Sequence, residues 1–291
     1  MTENKVAFVI NPVAGGKKKE NIIQIISENL SPRTAYDIFV WEEKNNFAEI
    51  QKQITSGKYQ TVVAVGGDGT VNEVAKNLTN TGINFGIIPR GSGNGLARTL
   101  GIPQDTRQAI RKIEEGSVRI IDGGFINDKA FFCTSGIGFD AHIGKLFATS
   151  KKRGLSSYFK ITVKELLRYR AKTYRISANG ETFSTKAFLI TFANAGQYGN
   201  DFYIAPEAKV DDGRLHVAIM KPFSPFSVLP LLVKILRRKA HTSRKIHTFT
   251  TQALKIEQAT PDAIHFDGEP GSTKKNEIEV KIYPAALRII C

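Results

Sequence analysis

The chain has 291 residues, of which 41% are hydrophobic, with only 11 prolines and a formal net charge of +14. That length suits two modest domains with real cores, and that composition excludes a disordered chain. No stretch approaches the roughly 18 to 20 uninterrupted apolar residues of a membrane-spanning helix, and the opening MTENKVAFVINP lacks the apolar length and cleavage pattern of a signal peptide.

In chain order, VAFVI (6–10) reads as a buried strand that runs into Asn11-Pro12 and Gly15-Gly16. Ile22, Ile25, Ile26 and Leu30 then share one helical face. YDIFVW (36–41) is a second strand, followed by a polar helix around Phe47 and Ile50. VVAV (62–65) is a third, ending in Gly66-Gly67-Asp68-Gly69-Thr70, after which Val71, Val74, Ala75 and Leu78 mark another helix. NFGIIP (84–89) is a fourth strand, and the loop RGSGNG follows it. Strands alternating with helices predict right-handed crossovers and a parallel sheet covered on both faces.

Past about residue 123 the texture changes. Leu215, Val217 and Ile219 alternate, as do Ile278, Val280 and Ile282, which predicts antiparallel sheet with one wet face. A basic helical segment (about 155–171) and an apolar-basic stretch (222–240) interrupt it. Cys133 and Cys291 sit among apolar neighbours, which points to reduced thiols and a cytoplasmic protein.

The charge is concentrated. Residues 151–175 hold nine Lys or Arg against Glu165 alone, and residues 234–245 hold six with no acid, so these two segments account for the whole +14. Such a surface suits a polyanion or an anionic lipid surface, or serves as a solvated face. A nucleic-acid module would leave the glycine loops without purpose, so no nucleic acid is expected.

A glycine-rich turn after a parallel strand lies at the carboxyl edge of the sheet, where α/β ligands bind. Its amides and the helix N-terminus behind it face an anion, so three such turns at one edge describe a phosphate cradle. Asp68 is the odd member. It would repel phosphates unless a divalent cation bridged the two, or it would simply cap the helix. No G-x-x-x-x-G-K-[ST] occurs, and GIGFDA (136–141) fits the loose dinucleotide fingerprint without the acid that should follow.

Taken together, NPVAGG, VVAVGGDGTVNEVAKNL, FGIIPRGSGNGLARTLGIP, GIGFDA, PEAKVDDGRL and FDGEP resemble the superfamily of diacylglycerol kinases, sphingosine kinases and their bacterial relatives, in order along nearly the whole chain. The resemblance implies an α/β fold: an N-terminal parallel-sheet nucleotide-binding domain of phosphofructokinase/NAD kinase type (1–122, rejoined by 284–291), then a C-terminal antiparallel β-sandwich for the lipid (123–283). It implies ATP and Mg²⁺, with Asn11, Gly66, Gly67, Asp68, Gly69, Thr70, Asn72, Glu73, Gly91 and Ser92 around the nucleotide and Asp68 holding the metal. Glu269 of FDGEP corresponds to the family's general base, although the motif also reads as an Asp-Gly turn with Glu269 exposed. KVDDGRL corresponds to a structural Mg²⁺ site made by the Asp212 side chain and the carbonyls of Lys209 and Arg214; an Asp-Gly hairpin there needs no ion.

Two positions depart from the family pattern. Trp41 stands where many bacterial relatives have threonine. Gly95 follows Asn94 where diacylglycerol kinases have Asp, which removes one member of a carboxylate cluster with Asp68 and Asp122 and leans towards the sphingosine kinases. Leu229, Leu232, Val233 and Leu236 share a helical face beside Arg237, Arg238 and Lys239, which suits an anionic bilayer or else a core helix. The expectation is an ATP-dependent lipid kinase acting on a lipid hydroxyl, peripheral at the inner face of the membrane, with a homodimer left open. NAD kinase, which shares the GGDGT turn, is the alternative.

Overall fold

A computed structural model of the chain describes residues 5–12, 21–41, 47–150, 155–166 and 168–291. The Gly15-Gly16 turn and the lysines of 151–153 therefore lie outside the described residues. The chain divides into two compact units, one of residues 1–121 with 285–291 and one of residues 122–284.

In the first unit β1 (Val6–Ile10), β2 (Tyr36–Val40), β3 (Thr61–Gly66) and β4 (Asn84–Pro89) form a parallel sheet in the order β2-β1-β3-β4. Every residue of β1 is buried, as a strand covered on both faces requires, and no polar alternation is present to mark one side. The helices are α1 (Ile22–Asn29), α2 (Phe47–Ile54), α3 (Asp68–Leu78), the short α4 (Gly95–Thr99) and α5 (Thr106–Glu115). Phe8, Val63 and Ile88 pack with Ile26 of α1 and with Ala109, Ile110 and Ile113 of α5 on one face of the sheet. On α3, Val71, Val74, Ala75 and Leu78 are the buried stripe. The chain leaves this unit within β5 (Val118–Ile126) and returns at its end, where Arg288 and Ile289 pair in parallel with Asn84 and Phe85 of β4.

The second unit contains β6 (Lys129–Phe131), β7 (Thr134–Gly138), α6 (Phe139–Thr149), α7 (Leu155–Leu166), β8 (Lys172–Ala178), β9 (Glu181–Ala187), β10 (Leu189–Ala193) and β11 (Leu215–Met220). After them come α8 (Val228–Leu236), β12 (Ile246–Thr251), β13 (Ala253–Gln258), β14 (Ala263–Phe266), β15 (Glu269–Ser272) and the first part of β16 (Glu277–Ile290), whose residues from 285 on belong to the first unit. One antiparallel sheet runs β12-β11-β10-β7-β14-β15; the other runs β16-β13-β8-β9, with β5 beside β16 and β6 beside β5. Alternation builds the sandwich. Ile190, Phe192, Val217 and Ile219 point inward to meet Tyr174, Ile176, Ile256 and Val280 of the facing sheet. Their neighbours Leu189, Ala218 and Met220 point the other way and pack with Phe139 and Ile143 of α6 and Leu231 and Ile235 of α8.

GIGFDA is a strand entering a helix here, but β7 is antiparallel to both its neighbours, β10 and β14. It is therefore no dinucleotide-binding βαβ turn. Among the described residues no helix is long and apolar enough to cross a membrane.

Candidate active site

Because β1, β3 and β4 run parallel, their carboxyl ends share one edge, and three candidate segments meet there. Asn11 follows β1, and its amide hydrogen-bonds the Val65 carbonyl at 3.1 Å. Its side chain donates to Thr70 Oγ1 at 3.1 Å, tying the end of β1 to the first turn of α3. The Arg90 amide donates to the Gly66 carbonyl at 2.8 Å, which brings the turn after β4 against the turn after β3.

Glycine is required at that approach. A Cβ on Gly91 would lie 2.7 Å from Gly67 Cα, and one on Gly93 would lie 2.8 Å from Asp68 Oδ2. Backbone bounds the Gly91 gap, so the two loops close on one another there only as glycine, while a side chain at Gly93 would displace the Asp68 carboxylate. Asn94 holds its own loop in the same way. It adopts a left-handed backbone (φ 51°) at the N-cap position of α4 without a side-chain capping bond, accepts from the Gly91 amide at 2.9 Å, and donates to the Gly91 carbonyl and Gln104 Oε1, both at 2.9 Å. Ser92 stands exposed at the tip.

Asp68 neither caps α3 nor stands bare. The N-cap is Gly67, which makes no side-chain capping bond, so α3 turns an uncapped N-terminus to this edge. Asp68 Oδ2 instead accepts from the Asn94 amide at 2.8 Å and Oδ1 from the Gly95 amide at 2.7 Å. The carboxylate staples one glycine loop to the other, and the amide of Asp68 itself adds to the donors around it. Burial pushes the Asp68 carboxyl above the ordinary carboxylate range, against the pull of the Gly95 and Asn94 amides and of Arg98. Asn72 is buried at the next turn of α3, and Glu73 pairs with Lys76 at 2.7 Å.

The second unit holds the remaining candidates. FDGEP is the hairpin joining β14 to β15. Asp267 (φ 49°) and Gly268 (φ 83°) form its two-residue turn, and exposed Glu269 stands opposite Phe266. The Asp267 carboxylate accepts three successive backbone amides, from Phe132 and Cys133 at 2.8 Å and from Thr134 at 3.0 Å. The Asp267 amide donates back to the Thr134 carbonyl at 2.8 Å. The hairpin bearing Glu269 is thus fastened to the start of β7.

Asp212 lies in an exposed turn. Its Oδ1 accepts from the Arg214 amide at 3.0 Å and its Oδ2 stands 2.8 Å from His216 Nε2. Asp122 is bound to the same segment, accepting from the Gly213 amide at 2.7 Å and donating its own amide to the Val210 carbonyl. Among the described residues no three His, Cys, Asp or Glu side chains converge as metal ligands. One carboxylate with two carbonyls, as at Asp212, is not such a cluster.

Residues 5–126 match the diacylglycerol kinase catalytic domain, and residues 134–291 match the YegS C-terminal NAD kinase beta sandwich-like domain. The chain belongs to the bacterial, YegS-like family of lipid kinases. A protein of Klebsiella pneumoniae (strain 342) named "Probable lipid kinase YegS-like" is 32% identical over 234 residues, 79% of this chain and 77% of that one. A namesake in Cronobacter sakazakii is 30% identical across 95% of this chain and 93% of its own. The crystal structure of a diacylglycerol kinase from Bacillus anthracis superposes with a TM-score of 0.74 over 99% of this chain and 96% of that one. At 21% identity that superposition establishes the shared fold.

Within this family frame the departures acquire local reasons. Gly95 is buried, and what it supplies to Asp68 is a backbone amide, which any residue there could offer. Trp41 packs its ring on Phe47 with centroids 4.5 Å apart. Sequence reasoning passed over Asn94 and Asp267. Asn in a glycine loop and Asp before Gly were both signals of left-handed backbone, but the amides they grip could not be read locally. Of the apolar face expected on α8, Leu229, Val233 and Leu236 are exposed and Leu232 is half-buried; the core side of the helix is made instead by Leu231 and Ile235.

Proposed function

We propose that this kinase transfers the γ-phosphate of ATP to a hydroxyl of a membrane lipid, such as diacylglycerol, a sphingoid base or a related lipid. It works as a peripheral protein at the inner face of the membrane. The observation that carries the reading is the pair of glycine loops stapled by Asp68 in front of the uncapped N-terminus of α3. Use of ATP follows from the family to which the chain belongs.

Backbone amides of Gly67, Gly69 and Thr70 would take the phosphate oxygens, with Asn11, Gly66, Asn72, Glu73, Gly91 and Ser92 around them. The Asp68 carboxylate, an oxygen donor beside that helix end, would hold Mg²⁺, a hard cation that neutralises charge on a transferring phosphoryl group when bound. Glu269 takes the proton of the acceptor hydroxyl as that oxygen bonds to the γ-phosphorus and the bond to ADP breaks. Its exposure at the head of β15 leaves it accessible to a substrate, and Asp267 holds the hairpin that presents it. A second Mg²⁺ would be held at the Asp212 turn by the Asp212 carboxylate with the carbonyls of Lys209 and Arg214, where it would tie the turn together.

The test is purified protein with labelled ATP and a panel of diacylglycerol, sphingosine, phosphatidylglycerol and NAD. Label in a lipid supports the reading and names the acceptor. Label in NAD alone would replace it with an NAD kinase.

A further inference from the structure

The turn before α8 and the outer face of that helix are unlike the rest of the surface. Phe226 is 91% exposed, Leu229 68%, Leu236 48% and Val233 39%. The four stand at i, i+3, i+7 and i+10, so they continue one stripe from the 3-10 turn Pro225–Ser227 along the helix. The opposite face of the same helix is satisfied, since Leu231 and Ile235 are buried in the core against β10 and β11. The stripe is therefore surplus to folding. Large apolar side chains left this exposed in one row mark an interaction site. Pro230 falls in the first turn of α8, where proline needs no hydrogen-bond partner, so the helix carries the stripe without a kink.

The charge around the stripe selects its partner. From Lys221 to Lys245 the chain carries seven Lys or Arg and no Asp or Glu. Lys221 before the helix and Arg237, Arg238, Lys239, Arg244 and Lys245 after it are exposed, and the Lys221 amide bonds the Lys245 carbonyl. Arg238 is held over the Tyr203 ring at 4.2 Å, and Lys234 donates to the Thr242 carbonyl at 2.9 Å, so part of this cationic rim is ordered. Beside Phe226 the surface dips into an apolar cleft of about 210 Å³ between Leu166, Tyr169, Phe188, Phe223, Pro225 and Val228.

The geometry points to an anionic lipid bilayer as the occupant: Phe226 and Leu229 enter the acyl boundary, Val233 and Leu236 lie along it, and the cations sit among the headgroups. A folded protein partner that matched the apolar row would also have to neutralise a cationic stretch that carries no acid of its own, Asp201 beside Tyr203 being the acid near Arg238; an anionic bilayer meets both demands with one surface. This docking face rests on the lipid-kinase reading above, for which it supplies the membrane contact, and names the residues that make it.

The full chain is to be sedimented with phosphatidylcholine vesicles, with and without a phosphatidylglycerol fraction. In parallel, transfer is measured on an acceptor dispersed in detergent. Wild type is expected on the anionic vesicles alone, released by salt. Phe226→Ser with Leu229→Ser should weaken that binding at least ~10-fold, and each of Arg237→Ser and Lys239→Ser about five-fold. Turnover on the dispersed acceptor should be unchanged in all of them. Should the double variant not fold, Phe226→Trp replaces it, and its added fluorescence should shift to the blue on anionic vesicles. Wild-type binding by the serine variants, or an unshifted emission from Phe226→Trp, would overturn the docking face. So would a dimer in sedimentation velocity that those variants dissolve, because a second copy would then be the occupant. Loss of all transfer in wild type with vesicle binding intact would instead refute the kinase reaction.

Discussion

Two Asp-Gly pairs, one in each unit, look alike in the sequence and behave alike in a way the sequence concealed. In GGDGT, Asp68 reaches across to the amides of Asn94 and Gly95; in FDGEP, Asp267 reaches across to those of Phe132, Cys133 and Thr134. Each carboxylate fastens its own turn to a loop that belongs to a different strand. They differ in what surrounds them. Asp68 sits among glycines whose absent side chains let two loops touch, in front of an open helix end. Asp267 sits in a two-residue hairpin whose next residue, Glu269, is exposed. Placement of loops by an anion is thus common to both, and only the neighbours decide whether the result resembles a phosphate cradle or a mount for a reactive side chain.

The comparison is broken most severely at Asp267. Asp267→Ala leaves three amides of buried residues without their acceptor, and hydrogen bonds to a charged group are worth ~1.5–3 kcal/mol apiece. A loss of at least about 3 kcal/mol is expected, read as a lower urea midpoint. Asp68→Asn comes next. One amide keeps an oxygen, while the other meets an N–H, so about 2 kcal/mol should go, and ATP binding should weaken with it as the loops part. Gly91→Ala tests the close approach without touching any charge. Its methyl has no room beside Gly67, so ~1–3 kcal/mol of overpacking strain and a similar loss of ATP affinity are expected by calorimetry.

Glu269→Gln sharpens the contrast within one hairpin. The residue is exposed, so stability should move by no more than ~0.5 kcal/mol. Turnover should nevertheless fall ~10²- to 10⁴-fold with ATP binding intact, as the proposed role of general base requires. The smallest effect is expected at Asp212→Asn. Added Mg²⁺ should raise the melting temperature of wild type slightly and leave this variant unmoved.

Much of the first unit could be read in advance, for a physical reason. Strands of a covered parallel sheet are continuous apolar runs, and VAFVI and NFGIIP coincide with β1 and β4 residue for residue. Helix α5 went unread, because Ala109, Ile110 and Ile113 are a thin apolar face in an otherwise charged and polar segment. In the second unit the alternation at Ile278, Val280 and Ile282 marked a half-wet strand correctly, with those three buried. The sites divide on range. Glycine spacing and Asp-Gly turns are local signals and were legible. Asp68 meets Asn94 from 26 residues away and Asp267 meets Phe132 from 135, and no pattern within either segment encodes such a partner. The carboxylate of Asp68 looks bare within its own segment because the amides that engage it belong to another loop.

The most direct test is isothermal titration of Mg·ATP into wild type and into Asp68→Asn. The account predicts single-site binding to wild type and markedly weaker binding to the variant. Equal affinities would deny the staple its part in holding nucleotide, and no heat from wild type would contradict the phosphate cradle itself.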